Sequence, residues 1–333
     1  MEKLDKKDRR ILYELDLNSR ASFSRIAKRV GLSKETVGYR IKRLSESGVI
    51  KRFHTVISPN KLGLTSYRLL LKFRGVTSKE ESEIQDYFIG RKEAQAVWKA
   101  GGAWDLFVWF VFEDISKFRD IWEVFFKDYG RFVQKTKLSI FTGVTYFHRH
   151  HLIGKEPQKI EGDRFITLDR KAEMDELDIS LLRMLAKDAR VPLTHLAMKT
   201  NRTIKTVKAR IKELEKNGVI VSYRTLFDLS LLGIKHYKIH FSLQNFDAST
   251  LSRLRAYAAG HSNAIYYNEV LGGWDLELEV EVRGKKELER LLQELRNHFG
   301  AYITQYEIFE YETLKFLFFP LPHTPTRRLP YKY

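Results

Sequence analysis

The stretch LDKKDRRILYELDLNSRASFSRIAKRVGLSKETVGYRIKRLSESGVIKRF, residues 4–53, decides how this chain is organised, because it occurs twice. Shifted by 170 residues it becomes MDELDISLLRMLAKDARVPLTHLAMKTNRTIKTVKARIKELEKNGVIVSY, and the two align without a gap. Asp5, Asp8, Leu12, Leu15, Thr36, Val37, Arg40, Ile41 and Gly48 all recur at that offset. The same offset carries Gly102-Ala103-Trp104-Asp105 onto Gly272-Gly273-Trp274-Asp275. The repeated unit is therefore long, and a self-similar period settles the architecture before any element is assigned.

Within the first copy, Ile11, Leu12 and Leu15 follow helical spacing behind acidic Asp5 and Asp8. A second helix fits residues 22–30, around Phe23, Ile26, Ala27 and Val30, and Gly31 closes it in the left-handed region. Ser33 reads as the N-cap of a third helix that buries Val37, Ile41 and Leu44 and stops at Gly48. Two helices joined by a short turn containing Gly make a helix-turn-helix, and VIKRFHTVIS reads as a strand or wing behind it. At 100° per residue, Glu35, Tyr39, Lys42 and Glu46 point away from the buried stripe. A helix held by one apolar stripe and polar opposite can enter a DNA major groove. The candidate DNA contacts are Lys34, Thr36, Tyr39, Arg40, Lys42 and Arg43, with Lys205, Thr206, Lys208, Arg210 and Lys212 in the second copy. The turn differs between copies: Gly31-Leu32-Ser33 becomes Asn201-Arg202-Thr203, which keeps the left-handed tolerance and the cap but loses an apolar contact.

Charge supports this reading. The 333 residues carry 59 Lys and Arg against 42 Asp and Glu. Residues 1–65 net about +9 and residues 170–235 about +6, whereas 66–147 net about +2 and 236–318 about −3. Positive charge concentrated on the two helix-turn-helix segments is the footprint of a polyanion-binding surface, in contrast to a generic charged exterior with mixed signs everywhere. The absence of cysteine excludes disulfides, thiolate catalysis and Cys-bound zinc. No apolar run reaches the roughly 18–20 residues of a membrane span, and the start lacks the apolar core of a signal peptide, so a cytoplasmic protein is expected. Phosphate-loop and nucleophile-elbow motifs are missing, and His148, His150 and His151 lack a carboxylate or Cys at ligand spacing. Neither a catalytic residue, a metal nor a cofactor is expected.

Behind each wing, alternating segments read strand, helix, strand, strand, helix, strand: YRLLLKFRGV, SKEESEIQDYFIG, EAQAVWKAG, WDLFVWFVF, DISKFRDIWEVFFKDYG and TKLSIFTGVTYF in the first copy. This βαββαβ order is the ferredoxin-like split motif. The fold class is α+β, two winged helix-turn-helix domains alternating with two ferredoxin-like domains. The expected divisions are 1–64, 65–147, a polar joint at 148–173, then 174–234, 235–318 and a basic Pro-rich tail at 319–333. Strands as apolar as LFVWFVF need a covering partner, so the sheet modules should pair, within the chain or between copies in a homo-oligomer.

A helix-turn-helix followed by βαββαβ, with the sequence GAWD at the second hairpin, resembles the Lrp/AsnC (feast/famine) family of transcriptional regulators. The resemblance covers nearly the whole chain, twice, as a tandem fusion of two family units. It implies a regulator binding double-stranded DNA, assembling through its sheet modules and responding to a small effector such as an amino acid. It places that effector near Gly102, Trp104 and Asp105 and near Gly272, Trp274 and Asp275, with Trp standing where Tyr or Phe is commoner. Two alternatives stand beside it: a sirohaem-decarboxylase-like enzyme on the same scaffold, and an architectural DNA-binding protein without sequence preference.

Overall fold

The computed structural model describes residues 4–157, 162–166 and 170–317. The first unit runs α1 (Lys6–Leu17), α2 (Phe23–Val30), α3 (Lys34–Glu46), β1 (Ile50–Ile57), β2 (Thr65–Phe73), α4 (Ser78–Ile89), β3 (Ala94–Ala100), β4 (Leu106–Phe112), α5 (Ser116–Tyr129) and β5 (Val133–Phe147). A short strand, β6 (Gly162–Ile166), follows. The second unit repeats the order as α6 (Glu176–Lys187), α7 (Leu193–Thr200), α8 (Ile204–Lys216), β7 (Ile220–Phe227), β8 (Lys235–Leu243), α9 (Ala248–Gly260), β9 (Ala264–Leu271), β10 (Leu276–Val282), α10 (Lys285–Phe299), β11 (Ile303–Phe309) and β12 (Tyr311–Phe316). The chain is α+β, with two winged helix-turn-helix domains alternating with two ferredoxin-like ones. The Pro-rich tail expected over 319–333 lies outside the described residues.

Local chemistry fixes the helix ends. Asp5 Oδ1 accepts from the Asp8 N–H at 2.7 Å while Asp8 Oδ2 accepts from the Asp5 N–H, a reciprocal cap repeated by Asp175 and Asp178. Gly31 and Asn201 both take the left-handed turn, at φ 68° and 51°, the two residue types that tolerate it best. Leu32 packs on the apolar core of its domain, whereas Arg202 is exposed.

The wings are exchanged. Strands β1 and β7 pair antiparallel, with Phe53 opposite Thr225 and Thr55 opposite Tyr223. Each strand runs under the other domain's first helix: Thr55 Oγ1 donates to the Leu185 carbonyl at 2.8 Å, and Thr225 Oγ1 to the Leu15 carbonyl at 2.9 Å. Arg20 reaches the Ala189 carbonyl and Arg190 the Ser19 and Ala21 carbonyls in the same reciprocal manner. From the ends of the ribbon onward, Ile57, Leu62 and Leu64 complete the second domain's core, while Phe227, Leu232 and Ile234 complete the first's. The two helical domains are therefore one body with pseudo-two-fold symmetry.

The other strands form one sheet, ordered β11-β8-β10-β9-β5-β2-β4-β3-β12, with β6 beside β5. Each module keeps the ferredoxin-like order of last, first, third and second strand. The modules join at β5–β9 and again at β12–β3. Only Glu310 separates β11 from β12, so the sheet begins and ends on one continuous run and closes into a flattened barrel. Helices α4 and α5 cover one outer face through Ile84, Phe88, Ile121 and Phe125; α9 and α10 cover the other through Leu254, Ala258, Leu291 and Leu295. The joint contributes structure too: β6 pairs along β5 from Val144–Ile166 to Phe147–Gly162.

Candidate nucleic-acid interface and internal cavity

Helices α3 and α8 are anchored by Val37, Ile41 and Leu44 and by Val207, Ile211 and Leu214, and their other sides face outward. Ser33 caps α3 at the Thr36 N–H, and Thr203 caps α8 at the Thr206 N–H, with the paired hydroxyls 2.9 Å apart in each copy. Lys34, Tyr39 and Lys42 are exposed on α3, with Lys42 only 3.7 Å from Glu46. Lys205, Lys208 and Lys212 are exposed on α8. The arginines behave differently. Arg40 is held by Asp5 and Asp8 at 2.7 and 2.9 Å, Arg43 by Asp8 at 2.8 Å, and Arg210 by Asp175 and Asp178. The hydrogen bond from Arg40 keeps the Asp5 carboxyl below its usual range. These guanidiniums tie the third helix of each domain to the cap of the first.

The two GxWD hairpins meet inside the barrel. The rings of Trp104 and Trp274 lie 6.1 Å apart, edge to face, and pack with Leu70, Phe107 and Phe309. Asp105 accepts from Lys72 Nζ at 2.8 Å and the Phe73 N–H at 2.7 Å, and Asp275 from the Leu243 N–H at 2.8 Å, so both carboxylates brace their hairpins. Gly102 and Gly272 are exposed, and the Lys137 ammonium sits 3.7 Å over the Trp274 ring.

The interior of the barrel is charged, which the sequence analysis does not anticipate. Strand β10, LELEVEV, turns Leu276, Leu278, Val280 and Val282 to the helices and Glu277, Glu279 and Glu281 inward. Each carboxylate meets a cation. Arg68, fully buried, makes a two-pronged pair with Glu277, one contact at 2.6 Å. Lys238 lies 2.7 Å from Glu279, with His236 and the Tyr311 hydroxyl alongside. Arg149 joins Glu281 to Asp16 at the end of α1, with His151 on Glu281 at 2.7 Å. Burial pushes the Glu279 and Glu281 carboxyls up, but their cations outweigh it and hold both well below the usual range. Burial and the cations Arg68, Lys238 and Lys137 hold His240 neutral, well below its ordinary value. Alternation in LELEVEV and a lone Arg in YRLLLKF were the available signals. Of the HRHH run, His148 contacts Arg224 and His150 the Tyr13 hydroxyl, and no three metal-ligating side chains converge among the described residues.

Between the ribbon and the barrel lies a cavity of about 500 Å³. Trp98, Trp109, Phe141, Tyr266, Lys238 and Glu279 wall it on the barrel side, and His54, Thr225 and Phe227 on the ribbon side.

Paired, outward-facing helix-turn-helix domains mounted on sheet modules define a DNA-binding regulator. Residues 4–45 match the AsnC-type helix-turn-helix domain and 174–221 a winged helix-turn-helix DNA-binding domain. An uncharacterized HTH-type transcriptional regulator of Pyrococcus abyssi is 38% identical over 110 residues, covering 31% of this chain and 69% of the relative. Another from Pyrococcus furiosus is 29% identical over 143 residues, 42% of this chain and 93% of its own. This chain belongs to the Lrp/AsnC family of helix-turn-helix transcriptional regulators, as a tandem of two units. In fold it is also similar to the siroheme decarboxylase NirDL, with a TM-score of 0.61 at 13% identity over 94% of this chain and 93% of that one. Among the described residues no helix is long and apolar enough to cross a membrane.

Proposed function

We propose that α3 reads bases and α8 mainly holds phosphates. Exposure carries this reading: α3 offers Tyr39 and Lys42, able to make apolar contacts and hydrogen bonds with base edges, while α8 offers Lys205, Lys208 and Lys212, point charges with little angular preference. Thr36 and Thr206 sit at helix starts, where phosphates are held by backbone N–H groups. Arg40, Arg43 and Arg210 position the helices through their carboxylates. Selecting bound fragments from random duplex DNA tests this: a recurring two-part site with one well-defined and one degenerate half is expected, and two equally defined halves would reverse the assignment.

The chain acts by binding in the cytoplasm, without catalysis. The likeness in fold to a decarboxylase favours one second reading, a tetrapyrrole enzyme. The buried cations around the cavity speak against it, because Arg68, Lys238 and Arg149 are each already held by a buried carboxylate and would have to give it up to a substrate ringed with carboxylates. Mixing the purified chain with sirohaem and recording the Soret band separates the two: an unshifted band is expected, and a shifted band followed by decarboxylated product would establish the enzyme. An effector reached at the hairpins would meet the exposed backbone of Gly102 and Gly272, braced by Asp105 and Asp275, more readily than the buried rings of Trp104 and Trp274. Assembly beyond one chain is supported by exposed Val124 and Phe126 on α5; sedimentation of Val124→Lys/Phe126→Lys should give a smaller species than the parent.

A further inference from the structure

The cavity under the wing ribbon is built from halves that have diverged, and the divergence indicates an occupant. At the repeat offset of 170, Trp98 corresponds to Asn268, Trp109 to Glu279 and Ser66 to His236. At these positions the first unit supplies flat apolar surface, Trp98 and Trp109, continued by Phe141, alongside the paired Arg68 and Arg149. The second supplies hydrogen-bonding groups, His236, Lys238, Asn268 and Glu279. At one side Tyr146 and Tyr266 already stack, 4.5 Å apart and 10° from parallel. A volume of about 500 Å³ falls in the ~300–1,000 Å³ range of small-molecule sites and far exceeds the voids of a close-packed core.

The charges on the wall narrow the ligand's chemistry. Arg68 is held by Glu277, Lys238 by Glu279, Arg149 by Glu281 and Asp16, and Lys235 at the rim by Glu310 at 2.9 Å. Glu279 in turn accepts from Lys238, with His236 and Tyr311 beside it. In the buried part of the cavity an anionic ligand would have to break a buried pair, and so would a cationic one, leaving a desolvated charge behind; the charges free of that cost, the Lys235–Glu310 pair and Glu312, are exposed to solvent. A flat ring with polar edges and no net charge would break no buried pair.

We infer that this cavity binds an uncharged aromatic molecule, wedged between the wing ribbon and the barrel, so that its occupancy is linked to DNA affinity. The linkage follows from the walls: His54 is on β1, Thr225 and Phe227 are on β7, and the opposing rings belong to the barrel. The linkage rests on the regulator reading; the binding itself does not.

Titration calorimetry of the full chain with indole tests the site, with indole-3-acetate and tryptamine as the anionic and cationic versions of the same ring. One indole per chain is expected, with both charged analogues at least tenfold weaker. Thr313→Trp and Val144→Phe, which fill the cavity from different strands, should each weaken indole at least tenfold while circular dichroism melting shows a folded protein. No indole binding, equal binding of indole-3-acetate, or binding that survives both fillings would overturn the inference. Electrophoretic mobility shift of a selected duplex, with and without saturating indole, tests the linkage: an at least threefold change in affinity is expected, and an unchanged affinity overturns it. Failure to shift DNA without indole would instead refute the regulator reading and leave the calorimetric result standing.

Discussion

Replacing Lys205, Lys208 and Lys212 together by Ala tests the α8 surface. All three are exposed, and among the described residues none is paired with a carboxylate. Each ammonium set against a phosphate contributes about 0.9 to the slope of log affinity against log salt, so the triple variant should lose about 2.7 from that slope. Between 50 and 200 mM KCl this means wild-type affinity falls about 40-fold more than the variant's. Fluorescence anisotropy with a random duplex reads the slope directly. Arg40→Ala/Arg210→Ala is the counterpart. Those guanidiniums are already committed to Asp5, Asp8, Asp175 and Asp178. The double variant should change the slope by less than about 1 while costing about 1 kcal/mol of stability or less per domain, because Asp5 and Asp175 are half-exposed and Asp8 keeps Arg43. An unchanged slope in the lysine variant, or a larger loss in the arginine variant, would refute the assignment of free and structural cations.

Acid should destabilise the chain well above the carboxylate range. Burial, with Arg149 and Arg224 nearby, pushes the His54 imidazole down to about 3, and His240 is also held well below its ordinary value. The unfolded chain takes up these protons near pH 6.5 and the folded one does not, so stability falls as pH drops below 6.5, by about 1.4 kcal/mol per pH unit for each group. Urea midpoints at pH 7 and pH 5 measure the loss, and His240→Leu, matching Leu70 of the other unit, should remove its own share of it, leaving the part due to His54 and to His148 and His261, which burial also holds low. Arg68→Met leaves Glu277 buried without its partner and should cost about 3–5 kcal/mol in urea unfolding, most of it regained in Arg68→Met/Glu277→Leu. If the double variant is as unstable as the single, the pair is not the reason. Arg202→Leu restores the apolar turn contact that Leu32 makes and should stabilise the second domain by about 0.5–1 kcal/mol, read as a raised melting temperature.

The helical domains were legible because their period, caps and turn residues agree: Asp5 with Asp8, Gly31, and Ser33 each act as their positions require. The βαββαβ order was legible from alternation. What alternation could not show is which face of LELEVEV meets solvent. Glu277, Glu279 and Glu281 would ordinarily point outward, and the cations on β2, on β8 and just past β5 allow them to be buried. Those partners lie up to 209 residues away in the chain, beyond any local pattern. The exchange of wings was hidden for the same reason: Ile57, Leu62 and Leu64 look like the end of the first domain, yet they pack on the second. Arg40 and Arg210 recur at the repeat offset, and the pairs they make to Asp5 and Asp175 join elements 35 residues apart, which no local pattern shows. The short strand Gly162–Ile166 carries too few residues for a period to show.

Joining the two halves in one polypeptide releases them from self-complementarity. In a two-fold homodimer every residue meets a surface built from the same sequence, so a mutation is always made twice. Here position 107 is Phe and its counterpart 277 is Glu; position 70 is Leu and its counterpart 240 is His. Each half can change alone, and an arginine can face a carboxylate that its own sister position does not carry. The same freedom extends to the recognition helices. Because α3 and α8 need not agree, evolution could fit this chain to an asymmetric operator, one that fixes the direction in which the protein sits on the duplex.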